Sequence, residues 1–186
     1  GVVEDFMVTS LANEQTPDIQ KVQGLWALFR LNALTDDSLE KALSDEDVLV
    51  RVHAQRILGE HRSLAQQKIE WVGNGLEDPN AHVRRVAAEN LIRHQNPRMV
   101  SPILKTIEAT DKADSHLLYA LKYALYQHAQ IPEIAKELAT KEWSDSEKEV
   151  VALVFSDTRS NTAAQYLADY LKNNHPSEEK YLAYLT

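Results

Sequence analysis

From residue 18 onward, apolar side chains recur every three or four positions, the spacing that lines one face of an α-helix. Ile19, Val22, Leu25, Trp26, Phe29 and Leu31 form the first such stripe. Thr16-Pro17-Asp18 reads as its start, with Thr16 as cap and Pro17 at the first helical position. Leu34-Thr35-Asp36-Asp37 breaks the pattern, and Leu39, Ala42 and Leu43 predict a short helix. A helix over about 46–60 follows, then a partner carrying Leu64, Ile69, Val72 and Leu76. Asp78-Pro79 opens another helix that runs to about His94, and Asn96-Pro97 closes it. Met99, Ile103, Leu104 and Ile107 mark the next partner. Further helices are expected near 132–140, near 145–155 with Ser144 and Glu147 at capping-box spacing, over 161–173 with Ala164, Leu167, Ala168 and Leu171 inward, and over 177–185. No run alternates as a strand would. Residues 1–15 lack a clear period and are expected to be an irregular lead-in to one domain over 16–186.

Two of these helices are near copies. Asp45, Val50, Arg51, Ala54 and Leu58 recur as Asp78, Val83, Arg84, Ala87 and Leu91, at an offset of 33 each time. A third copy is blurred: an offset of 34 sets Leu117, Leu121 and Leu125 on Val83, Ala87 and Leu91, while Leu118 stands where the Arg would be and the Asp moves to Asp111. A fixed period of this size marks stacked helical repeats, each burying its apolar face only against its neighbours. Val50, Ala54 and Leu58 share one face, with a small residue in the middle where helix backbones approach closely. Asp45 and Asp78 are placed to cap orphan N–H groups at the positive helix end. Arg51 and Arg84, one turn in, can reach the Asp of an adjacent unit and so form a polar ladder.

The pattern Asp-x-x-x-x-Val-Arg-x-x-Ala-x-x-x-Leu resembles the second helix of a HEAT repeat in its short bacterial form, over roughly residues 18–175. The resemblance implies an all-α fold, a right-handed α-α superhelix (HEAT-like solenoid) of about five antiparallel helix pairs. A period of 33–34 is also ankyrin or tetratricopeptide length, but the Thr-Pro-Leu-His turn of the one and the Trp/Gly/Tyr pattern of the other are absent. A narrower resemblance rests on Gly24-Leu25-Trp26-Ala27-Leu28-Phe29-Arg30-Leu31 with Asn32-Ala33-Leu34, and on Ser160-Asn161-Thr162-Ala163-Ala164-Gln165-Tyr166-Leu167. These stretches are similar to the HEAT segment of large Planctomycetes, Verrucomicrobia and Bacteroidetes proteins that join a dehydrogenase-like propeller to a cytochrome c domain. That resemblance implies a spacer or docking segment of an exported redox protein, and none of the family's haem or catalytic residues maps onto this chain.

Composition narrows the function classes. The 186 residues include 28 Asp and Glu against 20 Lys and Arg, a net charge of −8, spread evenly along the chain. A nucleic-acid surface needs a positive footprint, so no DNA or RNA partner is expected. The chain has no cysteine, which excludes disulfides, thiolate metal sites and a covalent c-type haem within it. No apolar run approaches the roughly 20 residues of a membrane span. Gly1 in place of Met fits a piece of a longer polypeptide, which leaves localisation open.

Candidate chemistry is sparse. His61, His94 and His128 recur at offsets of 33 and 34, each near the end of a repeated helix. They read either as imidazolium placed at the negative helix end or as a metal or haem site, although stacked helices about 8–10 Å apart hold such residues too far apart for one metal. Trp26, Trp71 and Trp143 have apolar neighbours at helical spacing and read as core. Arg56 and Arg85 read as solvated. Tyr119, Tyr123 and Tyr126 lie on neighbouring turns and form the candidate partner surface, the alternative being packing against the next unit. Paired carboxylates such as Asp36-Asp37 sit at helix starts, and no nucleotide-binding, zinc-protease or nucleophile-elbow motif occurs. The expectation is a non-enzymatic scaffold without cofactors in this chain, whose partners are a protein or neighbouring domains of the same polypeptide. The alternatives are the redox-protein spacer and an enzyme on the same fold, such as a bilin lyase or a DNA glycosylase. The glycosylase would need a basic groove and a buried carboxylate.

Overall fold

The computed structural model describes residues 8–9, 11, 13 and 15–174. The lead-in expected over 1–15 falls largely outside them, and the helix expected over 177–185 entirely so. Ten α-helices and one 3-10 turn account for most of the described residues, with no strand among them. The chain divides into two compact units, residues 1–90 and 91–186.

The first unit contains α1 (Asp18–Arg30), α2 (Asp36–Leu43), α3 (Val48–Glu60), α4 (Gln66–Gly75) and the start of α5 (Ala81–Arg93). α3 is its centre: α1, α2 and α4 all pack against it, and α2 also meets α4. Val50, Ala54, Leu58, Val83 and Ala87, the repeated apolar positions, are all at most 1% exposed. Between them lies a polar link that the apolar pattern does not show. The Gln55 side-chain amide donates to the Trp71 carbonyl at 3.0 Å, and the Asn90 amide donates to the Gln55 carbonyl at 2.7 Å. Both side chains are almost fully buried, so each bond replaces water that burial removed.

Helix starts differ from expectation by a consistent rule. α1 begins at Asp18, with Pro17 in the cap position and no side-chain cap, because Pro17 has ψ 138° and is not yet helical. Thr16 does not cap; its N–H turns back to the Asn13 carbonyl. The first repeated helix is capped by Asp47, not Asp45: Asp47 Oδ1 accepts from Leu49 and Val50 N–H at 2.7 and 3.3 Å. The second has Asn80, not Asp78, accepting from His82 N–H at 2.9 Å. The first stripe also turns: Leu25 and Leu28 are fully buried, whereas Ile19 and Leu31 are 62% and 55% exposed.

The second unit holds the 3-10 turn Pro97–Met99, α6 (Val100–Ala109), α7 (Ser115–Ala129), α8 (Pro132–Thr140), α9 (Asp145–Ser156) and α10 (Asn161–Asn174). α7 packs on α6, α8 and α9, and α10 packs on α9 and α8. Leu117, Leu121 and Leu125 are buried, so the blurred third copy keeps its apolar face. Ser144 and Glu147 form the expected capping box on α9, with reciprocal bonds of 3.2 and 2.8 Å. The inward face of α10 is rotated by one residue from expectation. Ala163 is buried and Leu167 and Leu171 are half-buried, while Ala164 and Ala168 are exposed. Tyr166 sets this register by packing edge-on against Phe155, with centroids 5.2 Å apart.

Gly75 closes α4 at a point of close approach. A Cβ there would overlap the Gln55 amide and would lie 2.9 Å from the Ala87 Cβ. Gly75→Ala should therefore lower the stability of the first unit by about 1–3 kcal/mol, the usual range for overpacking, despite the better helix propensity of Ala. Urea unfolding followed by circular dichroism would measure it, and an unchanged midpoint would contradict the packing argument.

Candidate functional site

The repeated Asp and Arg meet in the first unit. Arg51 Nε donates to Asp78 Oδ2 at 2.8 Å and Arg51 Nη2 to Asp78 Oδ1 at 3.1 Å, a two-pronged pair. Its remaining nitrogen, Nη1, donates to the Asp45 and Glu46 carbonyls, both at 2.9 Å. Arg84 repeats that second half, with Nη1 donating to the Asp78 and Pro79 carbonyls at 2.8 and 2.9 Å. Asp45 receives Lys21 Nζ at 3.0 Å. Lys21 is therefore a rung that the sequence reading missed. Its signal was weak, because α1 carries Lys rather than Arg and lacks the rest of the motif. The carboxylates also shape their loops: Asp45, Asp78 and Asp111 each accept the N–H two residues on, at 2.9, 2.8 and 2.9 Å.

The side chains of Arg51 and Asp78 are 12% and 9% exposed, so the pair is shielded from water and salt more than a surface pair would be. The hydrogen bond to Asp78, only partly opposed by burial, holds the Arg51 guanidinium above its ordinary pKa. It stays charged at every pH at which the protein folds. Elsewhere Arg85 pairs with Glu89 at 3.2 Å along α5, and Arg56 is exposed.

The three tyrosines of α7 do not enter the core. Their rings lie nearly parallel in a row: Tyr119 and Tyr123 have centroids 6.0 Å apart at 9°, Tyr123 and Tyr126 5.9 Å apart at 14°. Tyr119 is 70% exposed and Tyr123 39%, and Tyr126 is half-buried. Beside them runs an open groove of about 860 Å³, completed by Lys122, Gln130, Leu153, Val154, Asp157 and Arg159. Trp71 and Trp143 are buried, the latter donating to the Leu138 carbonyl at 2.9 Å. Trp26 is half-buried and donates to His53 Nδ1 at 2.9 Å.

The histidine series divides. His61 ends α3 and packs edge-on against Phe29, with centroids 5.4 Å apart. His94 follows α5 and is half-buried. His128 is fully buried, accepts the Asn96 N–H on Nε2 at 3.1 Å and faces the Ala124 carbonyl with Nδ1 at 2.8 Å. That pattern requires a neutral ring with its proton on Nδ1, so His128 is not the helix-end imidazolium expected from the sequence. Desolvation pulls its pKa below the ordinary value, partly offset by the two backbone bonds. His53 is lowered as well, by burial first and by Arg56 second. Among the described residues no group of three or more His, Cys, Asp or Glu could hold a metal ion, and no helix is long and apolar enough to cross a membrane. The buried polar side chains there are Gln55, Asn90, Thr106, His128 and Thr158, without a carboxylate.

Two expectations follow. Removing either end of the Arg51–Asp78 pair should destabilise the first unit by about 1.5–3 kcal/mol, and a double-mutant cycle of Arg51→Ala with Asp78→Ala should show coupling of about 0.5–3 kcal/mol. Simple additivity would show that the rung contributes nothing beyond two independent side chains. The lowered histidines set a pH window. Both are neutral in the fold and take up a proton more readily when unfolded. Their contribution is complete above about pH 6.5 and is lost as pH falls through the lowered folded values. The urea midpoint should drop between pH 7.5 and 5.5, and His128→Gln should make that drop shallower. An identical slope in the variant would show that His128 does not carry it.

The family model for HEAT repeats matches residues 37–125. That stretch runs from the start of α2 into α7 and holds both clear copies of the motif and the blurred third. No curated protein matches the sequence. Shared motif, all-helical packing and family match agree: residues 37–125 of this chain are HEAT repeats.

Proposed function

We propose that the chain is a non-enzymatic helical-repeat scaffold that docks a protein, or a neighbouring domain of its own polypeptide, on the tyrosine face of α7. HEAT repeats favour a scaffold for protein interactions. The observation that supports this particular face is the exposed tyrosine row, with Tyr119 at 70% exposure. The repeated letters of the motif are used up by the fold: Asp and Arg in loop and rung bonds, Ala and Leu in the core. The tyrosines have no such use. Tyr and Trp are the side chains most often found at the centres of protein interfaces, because they bring large rigid area and a polar tip.

Photo-crosslinking tests the reading. A benzophenone amino acid replacing Tyr119, in the cells that make the protein, should give one dominant adduct of discrete mass. Tyr123→Ala should abolish it, and the same probe at exposed Glu133 on α8 should not give it. Equal labelling from both positions would overturn the reading.

A further inference from the structure

The packing that demands a glycine at position 75 places it directly after Asn74, and this is the one Asn-Gly pair among the five glycines of the sequence. Gly75 serves close approach and not a turn: no glycine among the described residues has a positive φ, and a Cβ here would overlap the Gln55 amide. Asn-Gly is the dipeptide most prone to attack itself. The main-chain nitrogen of the glycine, once it loses its proton, adds to the side-chain amide carbon of the asparagine, and no Cβ stands in its path. The new C–N bond closes a succinimide ring. The Cγ–Nδ2 bond breaks, and ammonia leaves with the proton that the glycine nitrogen gave up. Water then opens the ring at either carbonyl, giving Asp from one and isoaspartate from the other. Asn74 is exposed, so water is at hand as the second reactant.

The fold opposes the first step. Asn74 and Gly75 are the last two residues of α4. A helical ψ at Asn74 turns the Gly75 nitrogen away from the side-chain amide, so the ring closes only after the last turn unwinds. That turn is fastened by the Leu76 N–H on the Gly73 carbonyl at 3.0 Å, the Glu77 N–H on the Asn74 carbonyl at 3.0 Å and the Asp78 N–H on the Gly75 carbonyl at 3.4 Å. Leu76 is 1% exposed, so unwinding also pulls at an apolar side chain in the core. Asp78, at the far end of the segment that has to move, is gripped by Arg51 at 2.8 and 3.1 Å. A reaction of this kind follows the population of the locally opened form.

We propose that the Asn74–Gly75 peptide is a site of self-modification, closed in the intact first unit and opened when the Arg51–Asp78 rung lets go. This stands apart from the docking face on α7. Both products work against reclosure. Asp adds a negative charge at the C-terminal end of α4, where the helix dipole is already negative, beside Glu40 and Asp78, which line the same hollow. Isoaspartate inserts a methylene into the main chain immediately before Gly75, at a point where not even a Cβ fits. A chain that has reacted therefore opens more readily than one that has not.

The test incubates the full chain in mildly alkaline buffer and follows Asn74 by peptide mass mapping, with enzymatic methylation to count isoaspartate. A free peptide of residues 70–79 gives the unprotected rate. The intact chain should react at Asn74 at least tenfold more slowly than the peptide. Arg51→Ala should raise that rate at least threefold, while Arg85→Ala, which breaks only the surface pair on α5, should leave it unchanged. Asn74→Gln, whose ring is larger and closes far more slowly, should remove the signal, and Asn74→Asp should lower the urea midpoint. Where Arg51→Ala fails to fold by circular dichroism, Arg51→Lys, which keeps the charge and loses the fork, takes its place. Reaction of the intact chain at the peptide's rate would overturn the proposal, as would a rate indifferent to the loss of the rung. No reaction at Asn74 in the folded rung variant would overturn it too. An unchanged midpoint in Asn74→Asp would reject the effect assigned to the Asp product.

Discussion

The first unit depends on what one guanidinium can reach. Arg51 is planar and always charged, and its donors point in fixed directions. One edge holds two carbonyls of the loop that leads into its own helix. The other edge holds the carboxylate of the loop that leads into the next repeated helix. The two helix-entry loops are thereby set against each other through a rigid fork. A lysine could pair with Asp78 but could not hold the Asp45 and Glu46 carbonyls in the same geometry. Lys21 shows that difference on Asp45, where it makes a single 3.0 Å contact.

This explains why the loops before the first two repeated helices each carry two acceptors two residues apart. A carboxylate engaged by a cation from another helix, as Asp78 is by Arg51 and Asp45 by Lys21, is poorly placed to cap the helix that follows. The work is divided: Asp45 and Asp78 tighten the loop and serve as rungs, while Asp47 and Asn80 cap. Ahead of α7, Asp111 tightens the loop by accepting from Ala113 N–H and Asp114 caps by accepting from Leu117 N–H. The repeat is thus an Asp-x-Asp/Asn signal in its first two copies and Asp-x-x-Asp in the third, which accounts for the shift from an offset of 33 to 34. Behind the loops, small residues let the helices close up, and a few buried polar bonds fix which carbonyl faces which amide. Gln55 with Asn90 does this in the first unit and His128 with Asn96 in the second. Satisfied polar bonds in a dry interior penalise a sliding error more sharply than apolar contact does.

Most helices were legible because their apolar period is strong: the expected span 132–140 is α8 to the residue, and Leu117, Leu121 and Leu125 pointed to the buried face of α7 despite the worn motif. What was misread shares one cause. Asp45 and Asp47 are equally good caps as letters, and only the reach of Lys21 to the Asp45 carboxylate separates them. Gln55 and Asn90 carry no signal in the sequence, and His128 read as a helix-end imidazolium, because polarity alone does not reveal a partner in another element. The α10 face was displaced by one residue because its alanines and leucines were counted while Tyr166, which packs on Phe155, was not. In each case the deciding neighbour is remote in sequence. The tyrosine row was readable as a row, since helix geometry sets its spacing, but its exposure depends on what α9 and the loop after it place alongside.

The worn third copy then gains a specific meaning. At an offset of 34, Tyr119 and Tyr123 stand where the second copy has Arg85 and Glu89. Those two form an ordinary i, i+4 ion pair on the surface of α5, 3.2 Å apart. In α7 the same two surface positions carry stacked phenol rings 6.0 Å apart. The apolar face of α7 keeps its leucines, so the fold did not require the exchange. An exposed ion pair suits water at almost no cost, whereas two exposed rings bring apolar area that water does not favour. The repeat is regular where residues serve the fold and departs from itself at a patch that the fold leaves open. That departure, more than the loss of the Arg or the shift of the Asp, separates α7 from its copies.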